Sequence, residues 1–201
     1  LIVFGEDWGG VPSSTQHLIK NMPQRGKVLW FNSIGLRSPK LNIGDLKRLI
    51  EKGKARLKPS PTTGFQYESQ TLPDMQIVEP SVLPFHQFGM IQRRNGAALK
   101  RQAQSFIEAC GDNPPLVWIT VPTAASFLDQ VPDLPSLYFC CDDFETLPGV
   151  DHKTAKQAET ALAANADRIV VTNELLADRF PADKTAYVPQ GVDYDLFATP
   201  C

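Results

Sequence analysis

The sequence predicts a doubly wound α/β domain, a mainly parallel sheet of about seven strands with helices on both faces. Three observations predict it. Short apolar runs recur along the 201 residues at 1–5, 27–32, 75–79, 116–120, 136–140, 168–172 and 185–189. These runs are rich in Val, Ile, Phe, Tyr and Trp and apolar at successive positions, as strands are when both faces of a sheet are covered. Longer amphipathic or polar stretches alternate with them, which is the spacing of right-handed crossovers between parallel strands. With 42% hydrophobic and 21% charged residues, and neither a repeat nor a Ser/Gly-rich linker, the chain fits one globular domain.

The elements follow in order. The first run, LIVFG, leads into a glycine-rich turn and a helix over 14–22. The second, KVLWFN, is followed by a helix over 43–57, with Ile43, Leu46, Leu49, Ile50 and Leu57 on one stripe. Residues 58–74 have no period and carry three prolines, so they read as a long surface loop. After MQIVE comes a helix over 97–110, with Leu99, Ala103, Phe106, Ile107 and Cys110 along its inner face. LVWIT precedes a short helix, with Thr123 as a plausible cap. SLYFC precedes an Ala-rich helix over 153–166, and RIVVT one over 174–180 opened by Asn173. TAYVP is the last strand.

Composition excludes several functions. The net charge of −2 conceals an uneven spread: residues 1–128 carry 15 Lys/Arg against 9 Asp/Glu, and residues 129–201 carry 5 against 13. Such a split suits one face that meets an anion. Nucleic acid is a poor fit, because the basic half lacks interleaved aromatics. Cys110, Cys140, Cys141 and Cys201 have no C-x-x-C spacing and read as reduced thiols. His17, His86 and His152 share no ligand spacing, so no metal site is expected and no cofactor is called for. The opening apolar run spans five residues, short of a signal peptide or of the about 20 needed to cross a membrane. The expected location is the cytoplasm. Residues 40–58 hold Lys40, Lys47, Arg48, Lys52, Lys54, Arg56 and Lys58 against Asp45 and Glu51, and offer either a solvated basic face or a peripheral contact with anionic lipid at the inner membrane face.

In a doubly wound sheet, ligands sit beyond the carboxyl ends of the strands, beside strand one. After strand one, Gly9 and Gly10 allow a tight turn and a close backbone approach. Ser13 with Gln16 fits a capping box, so Ser13 and Ser14 open a helix whose positive end and free N–H groups would suit a diphosphate. The glycine spacing is G-x-x-x-G-G, which is neither the dinucleotide fingerprint nor a Walker loop. Arg37 after strand two offers a fork for a phosphate or carboxylate, against the plain reading of a solvated loop arginine. After strand four the hydroxyls are Thr120 and Thr123, which could bind a sugar. After strand five stand Asp142 and Asp143, adjacent carboxylates able to act as a base, bind a cation or accept from sugar hydroxyls, against a reading as loop caps. His86 lies after strand three, at the same edge.

The end of the chain carries a resemblance. ALAANADRIVVTNELLADRF followed by AYVPQGVDYDLF resembles the stretch that closes the N-terminal domain of family 4 glycosyltransferases of the GT-B type. Gly191, Val192, Asp193 and Phe197 fit the family's V-P-N-G-V-D…F segment, with Gln190 in place of Asn. YFCCDDF resembles a segment of bacterial members that build cell-surface polysaccharides, and Gly9-Gly10-Val11 resembles the family's glycine-rich loop. The resemblance implies a Rossmann-like, acceptor-side domain spanning 1–201 that faces a donor-binding domain not contained in this chain, so that the chain alone is inactive. It further implies sugar transfer from a nucleotide-sugar to a saccharide or lipid-linked acceptor, with retention and without metal, and Gly9 and Gly10 approaching the donor diphosphate. The chain reads ITVPTAA where many members have a histidine after strand four, leaving Asp142, Asp143 and His86 as substitutes at the transferred sugar. A nucleotide-sugar epimerase of the same architecture and a non-catalytic sugar- or nucleotide-binding module are the alternatives.

Overall fold

The computed structural model describes residues 1–22, 26–35, 72–84, 86–192, 194 and 198. Seven parallel strands form one sheet: β1 (Ile2–Phe4), β2 (Val28–Phe31), β3 (Met75–Val78), β4 (Val117–Ile119), β5 (Ser136–Cys140), β6 (Arg168–Val171) and β7 (Thr185–Tyr187). Every expected strand is present. Their order is β3-β2-β1-β4-β5-β6-β7, so the direction of winding reverses between β1 and β4. The register there sets Phe4 beside Phe31 on one side and Ile119 on the other. This is the doubly wound, Rossmann-like arrangement that the alternating runs predict.

The helices are α1 (Ser14–Asn21), α2 (Gly89–Ala109), α3 (Ala125–Leu128), α4 (His152–Asn165) and α5 (Glu174–Ala177), with a 3-10 turn at Pro122–Ala124. Helix α2 begins eight residues before the expected 97. Its first turns were hidden because the apolar stripe is interrupted by Asn95 and Gly96. Asn95 is buried to hold Leu83, accepting from its N–H at 2.8 Å and donating to its carbonyl at 2.9 Å. Gly96 is bare because a Cβ there would collide with the Ser126 carbonyl, where α2 crosses the start of α3. Helix α5 stops at Ala177 rather than 180, and the chain tightens into turns with Arg179 N–H on Leu176 O and Phe180 N–H on Ala177 O. The expected helix 43–57, the basic segment 40–58 and most of the loop 58–74 lie outside the described residues.

Alternate strand residues feed two cores. Ile2, Phe4, Leu29, Phe31, Val117, Ile119, Tyr138, Cys140, Ile169 and Val171 face α2, α3, α4 and α5. Val3, Val28, Trp30, Trp118 and Phe139 face the other way and pack with Trp8 and with Ile19 of α1. Cys140 and Cys141 accordingly fall on opposite faces, as neighbouring strand positions must. Phe4 stacks on Phe31 at 4.6 Å between ring centroids and tilts against Phe127 at 4.9 Å, filling the sheet's centre directly beneath the reversal. Among the described residues, no helix is long and apolar enough to cross a membrane.

Candidate functional site

In a doubly wound sheet the reversal of winding, here between β1 and β4, marks the crevice beyond the carboxyl ends where ligands bind, and the loop after β1 lies at that edge. Gly5 begins the loop because a Cβ there would meet the Trp30 indole at 2.6 Å. Gly9 adopts φ +75°, a left-handed conformation that favours glycine. The loop is then tied to its neighbours. Ser33 donates to Asp7 Oδ1 from both its N–H (3.0 Å) and its hydroxyl (2.7 Å). Trp8 N–H donates to Asn32 Oδ1 at 3.0 Å, and the Asn32 amide donates to Glu79 Oε1 at 2.5 Å, linking the loops that follow β1, β2 and β3.

Gln16 closes the loop from the side of α1. Its N–H donates to Ser13 Oγ at 3.3 Å, the cap the sequence predicts. Its side chain turns back on the glycines, accepting from Gly9 N–H and donating to the Asp7 and Val11 carbonyls, each at 3.3 Å. Gly10 N–H donates to Asp7 O at 3.0 Å. The N–H groups of Gly9 and Gly10 are therefore spent inside the loop. What the glycines supply is backbone without side chains at the crevice, and Ser13 and Ser14 set the start of α1 beside it.

The threonines after β4 serve the scaffold. Thr120 Oγ1 donates to Phe4 O at 2.8 Å and Thr123 Oγ1 to Ile34 O at 2.9 Å, both buried. Thr123 lies inside the 3-10 turn and not ahead of a helix, so the cap expected of it is not made.

After β5 the two aspartates part company. Asp143 is held by Arg179 Nη1 at 2.5 Å and accepts from Glu145 N–H at 3.1 Å. Desolvation pushes its carboxyl up, but the Glu145 N–H and the Arg179 charge outweigh that and hold it below its ordinary value. Arg179 also reaches Glu145 at 2.7 Å and the buried Glu159 at 2.9 Å, and Glu159 accepts from Tyr138 OH at 2.9 Å. Asp142, on the crevice side, is exposed in area yet hemmed by protein. Burial first, and then the negative charge of Glu6 after β1, raise its carboxyl above the ordinary range. Between them Cys141 is pushed up to about 12 by burial and by Asp142, Cys140 and Glu6, and its thiol meets the side chain of Gln190 after β7. Glu6, Cys141, Asp142 and Gln190 thus converge over the carboxyl ends of β1, β4 and β5.

Comparison with known proteins shows a likeness at the level of fold. No protein-family model matches the chain, and no curated protein matches it. Solved structures do, among them one with bound ligands. Anabaena HepE, crystallised in complex with UDP and glucose, superposes with a TM-score of 0.51 at 13% identity, over 98% of this chain and 46% of that one. The chain therefore has the fold of one part of HepE and spans about half its length.

The remaining expected site residues are dispersed. His86 lies in a separate pocket with Gln87 and Gln92, walled by Pro122–Ser126 and by α4, which neither Asp142 nor Asp143 lines. Burial lowers its pKa, so the ring is neutral at neutral pH. Asn173 caps α5, accepting from Leu175 N–H at 2.9 Å. Arg37 lies outside the described residues. Among the described residues no three of His, Cys, Asp and Glu gather in a metal-binding group. Glu6, Gln16 and Arg179 are the residues that sequence reasoning passed over as site-forming. Only Gln16 left a signal, its capping-box spacing from Ser13.

Proposed function

We propose that this chain is the acceptor-side domain of a glycosyltransferase that moves a sugar from a nucleotide-sugar to a saccharide or lipid-linked acceptor, with retention, in polysaccharide or glycoconjugate synthesis. The observation that carries the reading is the β1/β4 reversal, at whose carboxyl edge lie the glycine loop after β1 and the neighbouring carboxylates Glu6 and Asp142. The likeness of fold to a protein solved with UDP and glucose supports it, as do the motifs around Gly191. Electrostatics then assigns positions. A diphosphate is repelled by the paired carboxylates and favoured at the positive start of α1, where Ser13 and Ser14 lie beside Gly9 and Gly10. Glu6 and Asp142 are left to accept hydrogen bonds from sugar hydroxyls, with Asp142 the preferred residue at the transferred sugar. Asp143, committed to Arg179, and His86, in its own pocket, take supporting places. The chemistry needs no metal in this reading, since the helix end and basic groups of a facing domain take up the leaving charge.

The test is nucleotide release by the complete natural protein, supplied in turn with UDP- and GDP-sugars and an extract of its host's glycans. Acceptor-dependent release is expected from one donor, and Asp142→Asn should cut it by about 10-fold or more, the scale of losing a hydrogen bond to a charged group. Gly10→Val should do the same, because a Cβ at Gly10 already presses on Asp7 O at 3.0 Å and a branched side chain would enter the crevice. Normal turnover in folded Gly10→Val protein would remove the loop from the site. Absence of release and of binding with every donor would sink the whole reading.

A further inference from the structure

We propose that the outer face of the first turns of α2, together with the residue that opens the helix, is a docking surface for an anionic phospholipid bilayer. Charge is unevenly placed here. Residues 80–107 carry Arg93, Arg94, Lys100 and Arg101 and no Asp or Glu, in a chain whose net charge is −2. Lys100 is spent on the fold, donating to Gln130 O at 2.8 Å. Arg93, Arg94 and Arg101 are exposed, and none of them makes an ion pair among the described residues.

Helix periodicity gathers these cations on one side. Met90, Arg94, Ala97 and Arg101 follow at spacings of four, three and four, and all are exposed, with Arg93 beside them. Asn95, Gly96, Leu99 and Ala103 form the opposite, buried face that packs on the core. The first carboxylate along α2 is Glu108, in the last turn, and it accepts from Gln104 at 2.7 Å.

Apolar side chains stand at the same end of the helix. Phe88 is 55% exposed and Met90 85%. Phe88 also holds the N-cap position, where Ser, Thr, Asp or Asn would accept from the first N–H groups of the helix, and it makes no such bond. The position forgoes a stabilising cap for an aromatic ring in solvent, and the uncapped start adds its positive end to the guanidinium charge. The chain around that ring is held in place. Asn95 accepts from Leu83 N–H at 2.8 Å and donates to Leu83 O at 2.9 Å, and Gln92 donates to His86 O at 2.6 Å. Fixed apolar side chains beside uncompensated arginines suit the headgroups and upper acyl region of an anionic bilayer. Nucleic acid fits less well, because stacking needs aromatics among the basic residues and residues 87–105 hold Phe88 alone. His86 and Gln92 lie against Pro122 and Thr123, which follow β4, so this surface borders the same edge of the sheet as the glycine loop.

Docking requires no sugar transfer, and its test reads binding alone. The full chain is sedimented with vesicles of phosphatidylcholine and with vesicles of equal parts phosphatidylcholine and phosphatidylglycerol, at low and high salt. It should pellet with the anionic vesicles at low salt, come off them as salt screens the contact, and stay in solution with the neutral ones. Arg93→Gln and Arg94→Gln should each weaken binding about fivefold. Phe88→Ser should also weaken it about fivefold while leaving Tm unchanged or raised, because serine supplies the missing cap. Any of four results overturns the proposal: no pelleting with anionic vesicles at low salt, equal pelleting with neutral ones, undiminished binding in both the Arg93→Gln/Arg94→Gln double variant and Phe88→Ser, which would move the contact to another segment such as 40–58, or binding to a single-stranded oligonucleotide in preference to the vesicles.

Discussion

Two segments at the same edge of the sheet are held by opposite means. The loop after β1 is tied by hydrogen bonds whose donors are neutral: Gly9 N–H to Gln16, Gln16 to Asp7 O, Ser33 to Asp7, Trp8 N–H to Asn32 and Asn32 to Glu79. The segment after β5 is tied by one guanidinium, Arg179, shared among Asp143, Glu145 and Glu159. Amide clasps fix a backbone path without adding positive charge to it, so the crevice above the glycines keeps its own potential. An arginine hub neutralises carboxylates and packs them away. Asp142 and Asp143 show the result, since adjacent residues with the same chemistry become one carboxyl free to face the crevice and one bound into the scaffold.

The contrast can be broken first at its ionic end. Arg179→Met should lower unfolding free energy in urea by about 3 kcal/mol, because Glu159, at 4% side-chain exposure, loses its counter-charge. Adding Glu159→Gln should recover part of that loss. An unchanged midpoint in the single variant would mean the hub holds nothing.

At the amide end, Gln16→Leu should cost about 2 kcal/mol, the penalty of leaving buried polar groups unpaired. The same variant should speed hydrogen exchange at Gly9 N–H while leaving that of β5 unchanged. Gly9→Ala should cost about 1 kcal/mol through its left-handed φ alone. Equal stability of Gly9→Ala and the parent would show that the turn relaxes freely.

The smallest and sharpest effect is in titration. Carboxyl NMR should place Asp142 above 3.8 and Asp143 below it, and Glu6→Gln should bring Asp142 down. The signs follow from linkage. The raised Asp142 favours the folded chain fully below its unfolded value of 3.8, and that contribution is lost as pH rises through its folded value. Asp142→Asn is therefore the more stable protein at pH 7, with the gap closing as pH falls toward 3.8. The lowered Asp143 contributes stability above its unfolded value and loses it as pH falls through its folded one. Asp143→Asn should accordingly be less stable than the parent at neutral pH and converge with it in acid. Identical titrations of the two aspartates would erase the contrast.

The strands were legible because both faces of this sheet are covered, so each stood out as an unbroken apolar run. The start of α2 was not, because two of its residues obey neighbours rather than helix periodicity: Asn95 answers Leu83, and Gly96 yields to Ser126. At the site, Gly9, Gly10, Ser13 and Asp142 were visible from their place after a strand. The division of labour between Asp142 and Asp143 was not, since it is decided by Arg179, 36 positions further along the chain. Gln16 could be read as a cap but not as a clasp, because the second role exists only once the glycine loop has folded back over α1.

The buried Tyr138 gives the protein an optical witness to its own folding. The phenol is inside the core, its proton donated to Glu159, and burial together with the neighbouring Cys140 and Glu159 holds its pKa well above 10. A phenol in water ionises near 10 and changes its ultraviolet absorbance as it does. In an alkaline titration Tyr138 would stay silent until the hub around Arg179 gives way. The late step in absorbance would then mark the opening of the sheet's carboxyl edge, read with no label and no substrate.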